Sequence, residues 1–308
     1  MPRDVGQIER LTHRLKWDDL DAAWLRQLIE RACDEDLNGG GLAKTPTQKG
    51  DATAAFINPT QHGRAKLVAR TPTVVAGLEL IAPIFAVYGN PCAIELHQRD
   101  GDFVQPGQVI AEIEGQAVHL LTAERTLLNF LQHLSGVATW THVHVQALGS
   151  STARLLDTRK TTPGFRVLEK YAVGIGGGWN HRIGLFDRVM LKDNHLAAAQ
   201  SGNGKALGDL VRKARAGRPD LLVEVEVDTA AQIQPVLEAG ADIVLLDNFS
   251  LSDLQTNVPE VKKRAWCEVS GGVSLKSLPE IGHIAPDFIS CGSLTYGAGW
   301  ADIGLDWD

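Results

Sequence analysis

Leu222-Val223-Glu224-Val225-Glu226-Val227 is followed by Ile243-Val244-Leu245-Leu246-Asp247, by Trp266-Cys267-Glu268-Val269-Ser270 and by Phe288-Ile289-Ser290-Cys291. Each run is short, apolar and of strand type, and each brings a polar residue or glycine to its C-terminal end. Those end residues, Glu226, Asp247, Ser270 and Gly292, are spaced by 21, 23 and 22 positions. Between the runs lie helical stretches such as Thr229–Ala239 and Leu275–His283. A strand, a helix and a return in that interval form the unit of a parallel β/α barrel or a doubly wound sheet. In a barrel the C-terminal strand ends make the active-site face, so these polar residues converge on one mouth. Two runs of the same type, Arg154-Leu155-Leu156-Asp157 and Arg188-Val189-Met190-Leu191-Lys192, lie upstream. Six strands are fewer than the eight of a standard barrel, so an irregular or incomplete β/α barrel is expected.

The N-terminal part reads differently. Leu20, Ala23, Trp24, Gln27 and Leu28 fit one face of an amphipathic helix starting near Asp18. Ala52–Ile57, Gly63–Ala69 and Asp100–Gln116 read as strands of a small, tightly turned sheet broken by Gly and Pro. The last of these is like the hairpins of lipoyl and biotinyl carriers, but no carrier Lys stands at its tip. Ala123–Leu134 spaces its apolar residues by three and four, the mark of a helix.

Composition narrows the function. Of 308 residues 44% are hydrophobic and 22% charged, which fits one large or two ordinary globular domains. A net charge of −7 argues against general binding to nucleic acid or anionic membranes, which need a basic surface. Cys33, Cys92, Cys267 and Cys291 have neither disulfide nor zinc spacing and read as reduced thiols. The N-terminal residues show no apolar signal core, and no stretch reaches the ~18 apolar residues of a membrane span. A cytoplasmic protein is expected.

Against that acidic background, Arg154–His195 carries eight Lys and Arg against four carboxylates, a local charge of +4. A site for a multiply anionic small molecule needs such a reversal; a solvated face with ordinary ion pairs is the plain alternative. Three features favour the site. Asp157-Thr158-Arg159-Lys160-Thr161-Thr162-Pro163-Gly164 sets an Arg fork and a Lys point charge directly after a strand. Gly174-Ile175-Gly176-Gly177-Gly178-Trp179-Asn180-His181-Arg182 is a glycine-dense loop delivering a His-Arg pair, though such a run can also be no more than a flexible loop. Lys192-Asp193-Asn194-His195 puts another Lys at a strand end. Opposite stand Glu226 and Asp247, suited either to Mg²⁺ completed by phosphate oxygens or to pairing with those lysines. Ser270-Gly271-Gly272 offers a hydroxyl and backbone N–H groups as a phosphate cradle at a helix start, or is a plain turn. His133, His142, His144 and His195 are not spaced as a metal set, and the tryptophans read as core or interface.

Taken together, these motifs resemble the quinolinate phosphoribosyltransferase family. The matching stretches, in order, are Glu124-Arg125-Thr126-Leu127-Leu128-Asn129 with His133-Leu134-Ser135-Gly136, Asp157–Gly164, Gly176–Gly178 with His181-Arg182, Lys192–His195, Glu224–Val227, Leu245–Asn248 and Ser270–Gly272. The resemblance implies an open-faced α/β sandwich domain, 1–128 with 293–308, joined to an irregular β/α barrel at 129–292. It implies transfer of phosphoribosyl from phosphoribosyl pyrophosphate to quinolinate with decarboxylation, with Mg²⁺ at Glu226 and Asp247. It also implies a homodimer in which Arg125 crosses to the neighbouring subunit's site. The resemblance implies catalytic roles for Lys160, Glu226 and Asp247. The implied substrate contacts are Arg125, Thr158, Arg159, Lys160, His181, Arg182, Lys192, Glu226, Asp247, Ser270, Gly271, Gly272, Ser290, Cys291 and Gly292. A relative taking nicotinate would need only one carboxylate site, a barrel lyase would use Lys192 as a Schiff-base amine but leave the carboxylate pair and phosphate-type turn without a use, and a non-enzymatic binding protein is disfavoured because every charged position of the family's motif is present. Ser201-Gly202-Asn203-Gly204-Lys205 is a polar insertion that departs from the family pattern.

Overall fold

The computed structural model describes residues 8–89, 92–192 and 204–307, with the backbone alone at Ala55, Gly204 and Lys205. The chain forms two compact units, one of Leu15–His142, Pro163–Gly176 and 298–307, the other of 8–14, Val143–Thr162 and Gly177–Gly297. Most of the Ser201–Lys205 insertion, and Asp193, Asn194 and His195, lie outside the described residues.

The first unit is built on a four-stranded antiparallel sheet in the order β12 (Ile303–Trp307), β1 (His62–Ala69), β5 (Val109–Gln116) and β3 (Ala93–Leu96). Its two-residue period sorts the faces. Ala65 and Leu67 pair with Ile113 and Ala111, all fully buried, while Arg64 and Lys66 pair with Glu114 and Glu112 on the polar face. That contrast is what an open-faced sandwich requires. The ribbon of β2 (Thr73–Val74) with β4 (Phe103–Val104) is a separate antiparallel pair in the same unit.

Two expectations need correcting here. Ala52–Ile57 is not a strand: Ala54–Phe56 makes a 3₁₀ turn, and Asp51 Oδ1 accepts from the Thr53 and Ala54 amides. The first long helix is Ala22–Asn38, capped by Asp21, and it buries Leu25 and Ile29, not the Trp24 face.

In the second unit β6 (Arg154–Leu156), β7 (Val189–Leu191), β8 (Val223–Val227), β9 (Ile243–Asp247), β10 (Trp266–Ser270) and β11 (Phe288–Ser290) are all parallel, in the order β6-β11-β10-β9-β8-β7. The first strand pairs with the last, so the sheet curls into a barrel that, among the described residues, is open between β6 and β7. On the β6 side of that gap Trp179 makes a parallel bridge with Leu156, and Asn180 an antiparallel one with His13. This is the irregular barrel that six strand runs predict. Helices Ala230–Glu238, Leu251–Lys262 and Leu278–Ile284 return the chain between successive strands. Among the described residues no helix is long and apolar enough to cross a membrane.

Candidate active site

Four of the six barrel strands carry their site residues at a period of two. Leu222, Ile243, Trp266 and Phe288 belong to an apolar floor with Leu11, Leu156 and Trp179. Two residues further along the same strands stand Glu224, Leu245, Glu268 and Ser290, and two further again Glu226, Asp247, Ser270 and Gly292. On three of these four strands the barrel passes from an apolar floor to a buried polar residue to a cavity-lining end within five residues, Leu245 being the apolar exception on β9.

The middle layer is ionic although it is shut off from water. Glu224 and Glu268 are fully buried. Glu224 accepts from Arg188 Nη1 at 2.7 Å, and His181 Nε2 lies 3.3 Å from both carboxylates. Ser290 Oγ donates to Glu268 Oε1, while Glu268 Oε2 has no partner among the described residues. Asp157 Oδ1 receives the His181 amide at 2.9 Å, and its Oδ2 receives Asn180 Nδ2 at 2.7 Å. Burial alone would raise Glu224, but His181 and Arg188 more than offset it and hold it well below the usual carboxylate range. Burial would lower His181, but Glu224 and then Glu268 raise it to about 9. The Arg182 amide donates to His181 Nδ1 at 2.8 Å. His181, Glu224 and Glu268 lie close enough together to suit a metal ion. With Nδ1 accepting, however, Nε2 carries hydrogen and has no lone pair to give.

Above this layer opens a cavity of about 550 Å³. Its lining brings together Thr158, Arg159, Lys160, His181, Arg182, Lys192, Glu226, Asp247, Ser270, Gly271, Gly272, Ser290, Cys291 and Gly292. Of the residues implied as substrate contacts, Arg125 alone is not in that lining; it is exposed, and it lies on the part of helix Ala117–Ala147 that belongs to the other unit. Met190, Leu245, Asn248, Glu268, Val273, Ser293 and Tyr296 also line it and were not foreseen. Nor does Ser270-Gly271-Gly272 begin a helix: Gly271 and Gly272 have φ of 84° and 59°, and the next helix starts at Leu278. Glycine is required at 271, where a Cβ would stand 2.6 Å from the Asn248 backbone nitrogen.

Charge is divided across this cavity. Lys192 Nζ pairs with Glu226 Oε2 at 2.6 Å, and Asn248 Nδ2 donates to Asp247 Oδ2 at 2.7 Å. Arg159 Nε is buried and has no partner among the described residues. Burial, and then the neighbouring Arg159 and Arg188, push the Arg182 guanidinium below its ordinary value, with Glu224 opposing them. An unpartnered N–H and a crowded guanidinium on one wall are satisfied by a ligand with more than one anionic group.

A barrel cavity lined by four cations, a carboxylate pair and a glycine turn is suited to moving a phosphorylated sugar onto an anionic acceptor. The comparisons agree. The model for the quinolinate phosphoribosyl transferase C-terminal domain matches residues 137–306, and that for its N-terminal domain residues 51–135. The chain belongs to the quinolinate phosphoribosyltransferase family. It is 39% identical over 258 residues to the probable nicotinate-nucleotide pyrophosphorylase [carboxylating] of Bacillus subtilis (strain 168), covering 83% of this chain and 88% of that one. It is 39% identical over 295 residues to the nicotinate-nucleotide pyrophosphorylase [carboxylating] of Mycobacterium leprae (strain TN), covering 94% and 98%. The solved nicotinate-nucleotide pyrophosphorylase from Francisella tularensis superposes with a TM-score of 0.86 at 32% identity, over 96% of this chain and all of that one.

The ionic layer makes stability depend on pH with a definite sign. A raised His181 contributes fully below the free-histidine range near 6.5 and is lost as pH rises through about 9. A lowered Glu224 contributes above the free-carboxylate range and is lost as pH falls below it. The melting temperature is therefore highest between roughly pH 4.5 and 6.5 and declines toward pH 9. In His181→Gln the decline between pH 6.5 and 9 flattens; melting curves across pH check both.

Proposed function

We propose that the chain carries out its family's reaction in this cavity: phosphoribosyl pyrophosphate and quinolinate give nicotinate mononucleotide, pyrophosphate and CO₂. The observation that carries this reading is one cavity with Arg159, Lys160, Arg182 and Lys192 set against Glu226 and Asp247. Quinolinate bears two adjacent carboxylates, and the two forks of Arg159 and Arg182 meet them, the unpartnered Arg159 Nε gaining an acceptor. So held, the pyridine nitrogen faces the anomeric carbon of the sugar. The nitrogen's lone pair forms the new C–N bond while the C–O bond to pyrophosphate breaks with its electron pair on oxygen. Positive charge building on the ribose is stabilised by Glu226 and Asp247, negative charge on the leaving oxygens by Lys160. The ring then carries a positive nitrogen, so the pair left on carbon as CO₂ departs is stabilised next to it and takes a proton from water. Ser270, Gly271, Gly272 and the Ser290–Gly292 strand end supply hydroxyl and backbone donors to the sugar phosphate. His181 points its ring nitrogens at the Glu pair and the Arg182 amide, and so orients Arg182.

Mg²⁺ suits this donor set, since Glu226 and Asp247 are hard oxygen ligands at adjacent strand ends of one cavity. When bound, it would neutralise charge on the pyrophosphate. We place the protein in the cytoplasm, supported by four free cysteines. We also read it as a homodimer, with Arg125, exposed in the other unit, supplying a carboxylate contact to the partner subunit.

The test is turnover with Mg²⁺, phosphoribosyl pyrophosphate and either pyridine acid. Quinolinate gives equimolar CO₂ and nucleotide, nicotinate gives little, and chelating Mg²⁺ stops both products. Nucleotide from nicotinate alone refutes the diacid reading. For shared sites, Arg125→Ala and Arg182→Ala are each inactive, and mixing them restores up to about a quarter of wild-type activity, the share expected of statistically formed mixed dimers. No recovery in verified mixed dimers refutes the shared site.

A further inference from the structure

The glycine loop at 176–178 delivers Trp179, Asn180, His181 and Arg182 to the barrel, and its backbone is left-handed at Gly177, with φ of 93°. Both of its last carbonyls are nevertheless taken. Arg14 Nε donates to Gly178 O at 2.7 Å and Arg14 Nη2 to Gly177 O at 2.6 Å. The same guanidinium lies 4.3 Å from the centroid of the Trp179 ring, and Arg154 lies 3.7 Å from that ring. The residues before Arg14 act in the same direction. His13 O accepts the Asn180 amide at 2.8 Å, Thr12 Oγ1 accepts Arg154 Nη1 at 2.6 Å, and Leu11 O accepts Arg188 Nη2. Leu11 itself is part of the apolar floor. Four consecutive residues thus each hold a piece of the loop or of its supports.

From Trp179 the restraint passes directly to the site. Trp179 exchanges backbone hydrogen bonds with Leu155 and Asp157, and Asp157 holds both Asn180 and the His181 amide. His181 and Arg182 follow at the cavity wall. A fork gripping two successive carbonyls while stacked on the next side chain fixes the loop's translation and its rotation together, which a point charge does not.

We infer that Arg14 is a positioning residue for the end of the site that takes the pyridine dicarboxylate: it sets the glycine loop, and through Trp179 and Asn180 the His181–Arg182 corner, without lining the cavity itself. This rests on the reading that Arg182 holds a substrate carboxylate. A small displacement of such a group has a large effect on binding geometry.

The experiment measures KM for quinolinate and for phosphoribosyl pyrophosphate in Arg14→Ala, Arg14→Lys and, as a control, Arg182→Gln, with melting curves alongside. Arg14→Ala raises the quinolinate KM by about tenfold to a hundredfold and leaves that of phosphoribosyl pyrophosphate within about twofold. Arg14→Lys shows a smaller rise of the same kind. Methylguanidine, a copy of the missing fork, lowers the raised KM of Arg14→Ala and not that of the wild type. A merely structural loss moves both KM values together or lowers the active fraction alone. An unchanged ratio of the two KM values in folded Arg14→Ala overturns the inference, and Arg14→Lys decides it if the alanine variant does not fold. If Arg182→Gln also leaves the quinolinate KM unchanged, the reading of Arg182 fails first, and the role of Arg14 falls with it.

Discussion

Two carboxylates fully buried inside a barrel are the constraint around which this site is arranged. Glu224 and Glu268 are cut off from water, and an unpaired charge there would cost several kcal/mol. Their partners must come from outside the strands that carry them. Arg188, just before β7, reaches Glu224, and His181, at the open seam of the barrel, approaches both. Each partner then does a second job. Arg188 also binds Leu11 O and so seats the N-terminal segment, while His181 fixes the Arg182 amide beside the cavity. Removing one member leaves an uncompensated charge under the site, about 3–5 kcal/mol in comparable buried pairs, which ties stability and site geometry together.

The same layering explains how an acidic protein holds anionic substrates. With a net charge of −7, long-range attraction is not available, so binding depends on a local wall of cations. Arg159, Lys160, Arg182 and Lys192 make that wall, with Glu226 paired to Lys192 and Asp247 beside it. The carboxylates keep the cations from becoming one undivided positive patch. On the proposed reading they leave distinct places for the anionic acceptor, the developing positive sugar and the departing phosphates.

Much of this was legible in the sequence because a barrel strand has a period of two and a repeat of about 22 residues. The ends Glu226, Asp247, Ser270 and Gly292 were aligned by spacing alone, and they share one cavity. Glu224 and Glu268 carry the same alternation one step lower, but their cationic partners Arg188 and His181 lie 36 to 87 positions away, beyond any local pattern. Arg14 is separated from its loop by more than 160 positions for the same reason. The Ala22–Asn38 helix was misread because its buried positions, Leu25 and Ile29, are set by tertiary packing, and Trp24 competed for the face. The turn at Ser270–Gly272 looked like a helix start only because serine and glycine serve both. The sandwich came from the family resemblance, since short strands of mixed polarity do not announce their pairing.

The central claim is that the cationic wall is matched to two carboxylates on one pyridine ring. Calorimetric binding of quinolinate and of nicotinate to the wild type and to Arg182→Ala tests it most directly. The account predicts a large preference for quinolinate in the wild type, mostly erased in Arg182→Ala, with nicotinate binding changed little. A preference that persists in folded Arg182→Ala would contradict it.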